Sequence, residues 1–107
     1  MFDSLAVDLH KEAVIKGFWP EPDDVDDIFV AKQLMMIVSE VVEAMEAIRK
    51  DKGEEEITAE FADILIRTLD LYAGVVESGY TRLSLDHVLK EKVEFNKTRP
   101  EKHGVRF

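Results

Sequence analysis

Glu40 and Glu43 in LMMIVSEVVEAM, and Glu60 and Asp63 in EFADILI, are four carboxylates set among apolar neighbours. The members of each pair are three residues apart, so in a helix they share one side, with Cβ atoms about 5–6 Å apart. Turning a carboxylate toward an apolar interior is costly unless it is partnered, and four together repel one another. A divalent cation with oxygen ligands removes both penalties. Mg²⁺ suits that donor set best, with Mn²⁺ as a substitute. Position along the chain adds a geometric argument. Glu43 lies eight residues before Asp51 and Glu60 seven after Gly53, so a tight hairpin brings the two pairs to nearly the same height. A second account of the same acids is a salt-bridge network in which Arg67, Lys32 or Arg49 neutralises them.

Other metal chemistries fail on spacing. A di-iron bundle needs Glu-x-x-His, but Val7, Ser84 and Pro100 stand three residues before His10, His87 and His103. An EF-hand needs glycine at its sixth position, and the acidic run Asp23 to Asp27 has none before Ile28 and Phe29. Cysteine is absent, which excludes disulfides, thiolate sites and a cysteine nucleophile. The acids of EPDDVDD and the pair Glu91/Glu94 have polar neighbours and read as solvated faces.

The elements that must position the four acids are helices throughout. A first amphipathic segment runs from about Asp3 to Gly17, with Leu5, Leu9 and Ala13 on one stripe, until the prolines of FWPEPDD stop it. A second helix is expected from about Asp24 to Lys50, with acids at its start and Arg49 and Lys50 at its end, as the helix dipole favours. Its residues Leu34, Ile37, Val41, Ala44 and Ile48 follow the alternating 3 and 4 spacing of a bundle seam. A third helix is expected from Glu54 to about Ser78, with core positions Ile57, Phe61, Leu65, Thr68, Tyr72 and Val75. The short link Asp51–Lys52–Gly53 makes these two an antiparallel hairpin. A fourth helix is expected from Ser84, a good N-cap, to about Thr98, with Pro100 ending it and an irregular tail beyond. The fold class is therefore all-α and four-helix-bundle-like, two long antiparallel central helices flanked by shorter N- and C-terminal ones.

Size and charge narrow the function. A chain of 107 residues makes one domain, 1–107. A net charge of −9 argues against nucleic acid as a partner, because no basic stripe can release phosphate counterions. It leaves room for a nucleotide whose phosphates are bridged by metal. The N-terminal MFDSLAVDLHKEAV is too interrupted by charge for a signal peptide, and no run reaches the roughly 20 apolar residues of a membrane span. A cytoplasmic location, with no membrane partner, is the expectation.

Glu40-x-x-Glu43, sixteen residues, then Glu60-x-x-Asp63 resembles the ExxE…ExxD signature of MazG-like nucleoside triphosphate pyrophosphohydrolases, of the all-α NTP pyrophosphatase superfamily. EFNKTRPEKHG is similar to the C-terminal signature of their small single-domain members, so the resemblance runs from about His10 to the end. It implies hydrolysis of a (deoxy)nucleoside triphosphate to the monophosphate and pyrophosphate, with water attacking the α-phosphorus. Glu40, Glu43, Glu60 and Asp63 would hold Mg²⁺, and Glu43 or Glu60 would orient or deprotonate the water. Asn96, Lys97 and Arg99 would meet the phosphates. His10 and Trp19, nine residues apart, match the pair that lines the base pocket in pyrimidine-binding members. The rival is a non-enzymatic acidic adaptor module. Apolar surface at Met35, Met36, Val38, Val42 and Met45 leads either reading to expect a homo-oligomer, a dimer or a dimer of dimers.

Overall fold

Glycines, prolines and caps divide the chain into four α-helices in the computed structural model, which describes residues 1–99. The tail expected to be irregular, from Pro100 on, lies outside the described residues. The helices are α1 (Phe2–Ile15), α2 (Asp27–Arg49), α3 (Glu54–Glu77) and α4 (Leu85–Lys97), and no strand occurs among the described residues. α1 gives way after Ile15 to a turn through Gly17, whose φ of 82° is open to glycine without strain. The prolines then impose a 3₁₀ turn over Pro22–Asp24 and an extended Val25. This delays α2, which begins three residues later than its acidic run suggests. Asp26 caps it, accepting from the Phe29 amide at 2.8 Å. Ser84 caps α4 as expected, accepting from the His87 amide at 3.1 Å.

α3 is the central element, with α1 and α2 both packed along it, while α4 packs on α1. Among the described residues the buried apolar ones are few: Ala6, Ala44, Ala47, Leu69 and Leu71. Alanines at the contacts let the helix axes approach closely, and Gly74 lets the Trp19 indole lie directly on α3, where a Cβ would overlap the ring.

The seam read from periodicity does not lie inside the chain. Of its five α2 residues only Ala44 is buried; Leu34, Val41 and Ile48 are 51%, 49% and 56% exposed, as are Phe61 and Leu65 on α3 at 54% and 52%. α1 covers one side of α3, and among the described residues no helix covers the other side of the hairpin. There an apolar groove of about 330 Å³ runs between Val30, Leu34 and Ile37 of α2 and Leu71 and Val75 of α3. The radius of gyration, 16.3 Å, exceeds the roughly 13 Å of a compact domain of this length. No helix among the described residues is long and apolar enough to cross a membrane.

Candidate metal centre

The hairpin sets the acids of α2 against those of α3. Glu40, Glu60 and Asp63 each offer a carboxylate oxygen, and these oxygens all lie within 4.8 Å of one another. Oxygens on opposite sides of one Mg²⁺ stand about 4.2 Å apart, twice the Mg–O distance, so the three are spaced closely enough that one cation could be held between them. Glu40 is nearly enclosed, its side chain 12% exposed. Glu60 is half-buried, and its Oε2 is shielded from solvent with no hydrogen-bond partner. Leaving a buried carboxylate oxygen unpaired is costly, and a hard cation with oxygen preference fits that atom.

Glu43, the fourth acid expected as a ligand, lies beside Glu40 and Glu60 but is not among the three metal-spaced carboxylates. Repulsion from the Glu40 carboxylate, then partial desolvation, then Glu60 hold its pKa above the usual carboxylate range. The inward orientation expected of all four acids holds for Glu40 and Glu60 only. Glu43 and Asp63 are exposed, because two helices alone enclose the centre of their contact and leave its edges to water.

The salt-bridge account is realised for one acid. Arg67 Nε donates to Glu40 Oε1 at 2.7 Å, whereas Arg49 pairs with Glu46 at 2.8 Å. Neither relieves Glu60 Oε2. Beside the acids opens a cleft of about 410 Å³, walled by Glu40, Asp63 and Arg67 together with Lys16, Phe18 and Ile66. It places an aromatic ring and two cations next to the carboxylates.

His10 and Trp19 come together, as their spacing suggests, with ring centroids 4.5 Å apart. Their polar atoms are spent inside the protein. His10 is buried, its Nδ1 2.8 Å from Asp70 and its Nε2 3.1 Å from Glu77. Trp19 Nε1 donates to Asp70 at 3.0 Å, and Phe29 tilts against the indole at 5.2 Å. Phe18, and not Trp19, lines the acid cleft. Asp70 and Glu77 carry this network without having been singled out in the sequence. The signal was present: Asp63, Arg67, Asp70, Gly74 and Glu77 follow one face of α3 at gaps of 4, 3, 4 and 3.

Asn96, Lys97 and Arg99 are not brought to the acids. Lys97 pairs with Glu94 at 3.2 Å, and the Arg99 guanidinium lies 5.6 Å above the Phe95 ring. α4 is fixed at its opposite end, where Asp86 accepts from the Phe2 and Asp3 amides and the Leu85 amide donates to Asp3 at 2.8 Å. Comparison with family models, with curated proteins and with solved structures returned no match to this chain.

Proposed function

We propose that this chain hydrolyses (deoxy)nucleoside triphosphates to the monophosphate and pyrophosphate, with Mg²⁺ held by Glu40, Glu43, Glu60 and Asp63. The observation that carries the reading is the convergence of the Glu40, Glu60 and Asp63 carboxylates, one of which, Glu60, has a shielded oxygen with no hydrogen-bond partner. A protein gains nothing structural from that arrangement, and a cation turns it from a liability into a site. The resemblance of the four-acid motif supplies the reaction. When bound, Mg²⁺ supplies the positive charge that lets an acidic site receive a triphosphate.

The chain's own residues divide the remaining work. Glu40 and Glu60, from opposite helices, fix the centre. Glu43 and Asp63, at the wet edge, face the side from which substrate and water arrive. Glu43 or Glu60 orients the attacking water and takes its proton as the new oxygen–phosphorus bond forms and pyrophosphate leaves. The cleft beside Asp63 accommodates the rest of the nucleotide, with Phe18 as its apolar wall.

The deciding experiment is pyrophosphate release from a panel of common and modified NTPs and dNTPs, in Mg²⁺, Mn²⁺ and EDTA. Release that requires metal supports the reading; no release from any member of the panel overturns it. The uncovered α2–α3 face favours a second property, self-association, which the adaptor reading shares. An adaptor is indifferent to Mg²⁺ and to nucleotide, and the same panel separates the two.

A further inference from the structure

Of the charged side chains around the acid cleft, Arg67 is the one that touches the carboxylate cluster, and its geometry is that of a residue with a second task. It stands one helical turn beyond Asp63 on α3, so both side chains reach the same cleft. Its contact with Glu40 uses Nε alone, at 2.7 Å. A guanidinium paired for structure typically engages a carboxylate through two parallel N–H bonds; here no second bond to Glu40 is made, and the side chain is 42% exposed. The four terminal N–H groups remain for the cleft. Asp70, the nearest acid further along the same face, is occupied by His10 and Trp19.

We propose that Arg67 is an exchangeable counter-ion: it neutralises Glu40 while the site lacks metal, and binds the phosphate oxygens of the substrate once metal takes that carboxylate. The inference rests on the metal reading above and adds to it a named anion-binding residue. Two physical facts carry it. The Arg67 side of the pair is open to water while Glu40 is nearly enclosed, so Arg67 can swing out to solvent at little cost, provided a cation takes its place on the carboxylate. Once displaced, a planar fork of five donors beside a cation site matches a phosphate better than any other group in the cleft. Lys16, the other cation on the wall, sits at the exposed end of α1 and offers only a point charge.

The two tasks predict opposite effects of one substitution. In Arg67→Gln, Mn²⁺ alone binds several-fold more tightly, because its competitor for Glu40 is gone. With Mn²⁺ present, a nucleoside triphosphate bearing a non-hydrolysable α,β-imido bridge binds about tenfold or more weakly, the loss expected of a charged hydrogen bond. Arg67→Lys, which keeps charge without the fork, lies between the parent and Arg67→Gln for the nucleotide. Calorimetric titration of parent and both variants, with circular dichroism to confirm folding, reads all of these. A parent that binds Mn²⁺ while Arg67→Gln leaves both affinities unchanged, or weakens both equally, overturns the proposal and leaves the metal reading standing. A parent that binds no Mn²⁺ overturns the metal reading and this proposal with it.

Discussion

Glu60 is the residue on which the metal site is most sharply tested. Its shielded Oε2 has no partner, so Glu60→Gln relieves repulsion within the cluster and removes a ligand. The expected outcome is a melting temperature in EDTA at least equal to the parent's, together with loss of the rise that millimolar Mg²⁺ gives the parent. Turnover falls on the order of 10²-fold or more, since metal charge stabilisation amounts to several kcal/mol. A variant that melts lower in EDTA but keeps its turnover contradicts the assignment. Gly74 offers a test of packing instead. Any side chain there meets the Trp19 indole, and Gly74→Ala is expected to destabilise by about 1–3 kcal/mol, as overpacking does, even though alanine favours helix. Chemical denaturation measures it. The meeting of Glu40, Glu60 and Asp63 was legible in the sequence because a short hairpin sets the acids of its two helices at one height. Their depth was not. Asp63 has Ala62, Ile64 and Leu65 beside it and still faces water, because sequence neighbours on a helix point in different directions and only i, i+3 and i+4 neighbours share a face.

At the scale of elements, α4 is joined to α1 by an exchange of acids: Asp3 receives the start of α4, and Asp86 receives the start of α1. The Met1 ammonium, then the Asp3 and Phe2 amides, hold the Asp86 carboxyl down at about 2, against an ordinary value of 3.8. A depressed carboxyl stabilises the fold above its unfolded value, and that contribution is lost as pH falls from about 4 toward 2. Glu43 works in the opposite sense: its raised pKa means the folded state binds the proton more tightly, so acidification through the carboxylate range relieves the cluster. The expected result is that Asp86→Asn lowers the melting temperature at neutral pH and flattens its fall between pH 4 and 2. Melting curves across that range, for parent and variant, check both signs. Helix number, order and the α2–α3 hairpin were readable because glycine, proline and capping residues act locally. The docking of α4 by its first turn was not, since it depends on two acids 83 residues apart in the chain, Asp3 and Asp86.

At the scale of the whole molecule, the uncovered face of the hairpin predicts assembly. Leu34, Val38, Val41, Met45 and Ile48 repeat at gaps of 4, 3, 4 and 3, all of them between 49% and 56% exposed, which is the pattern of a helix seam that packs against another helix. We expect a homo-oligomer in solution, and Val41→Glu, placed in the middle of the seam, to shift it toward monomer in sedimentation velocity. A parent that sediments as a monomer at all concentrations contradicts this. Periodicity marks Leu34, Ile37, Val41, Ala44 and Ile48 as an internal seam, and of these only Ala44 is buried: spacing along one chain shows that a helix face is apolar and does not say what covers it. The same face carries Met35 and Met45, 64% and 56% exposed, and peroxide turns a thioether into a polar sulfoxide that disrupts apolar contacts. Two of the chain's four methionine sulfurs thus lie on its uncovered apolar face. If copies of this chain pair through that face, dilution and oxidative damage reinforce each other: a chain that dissociates exposes these sulfurs, and their oxidation weakens its return.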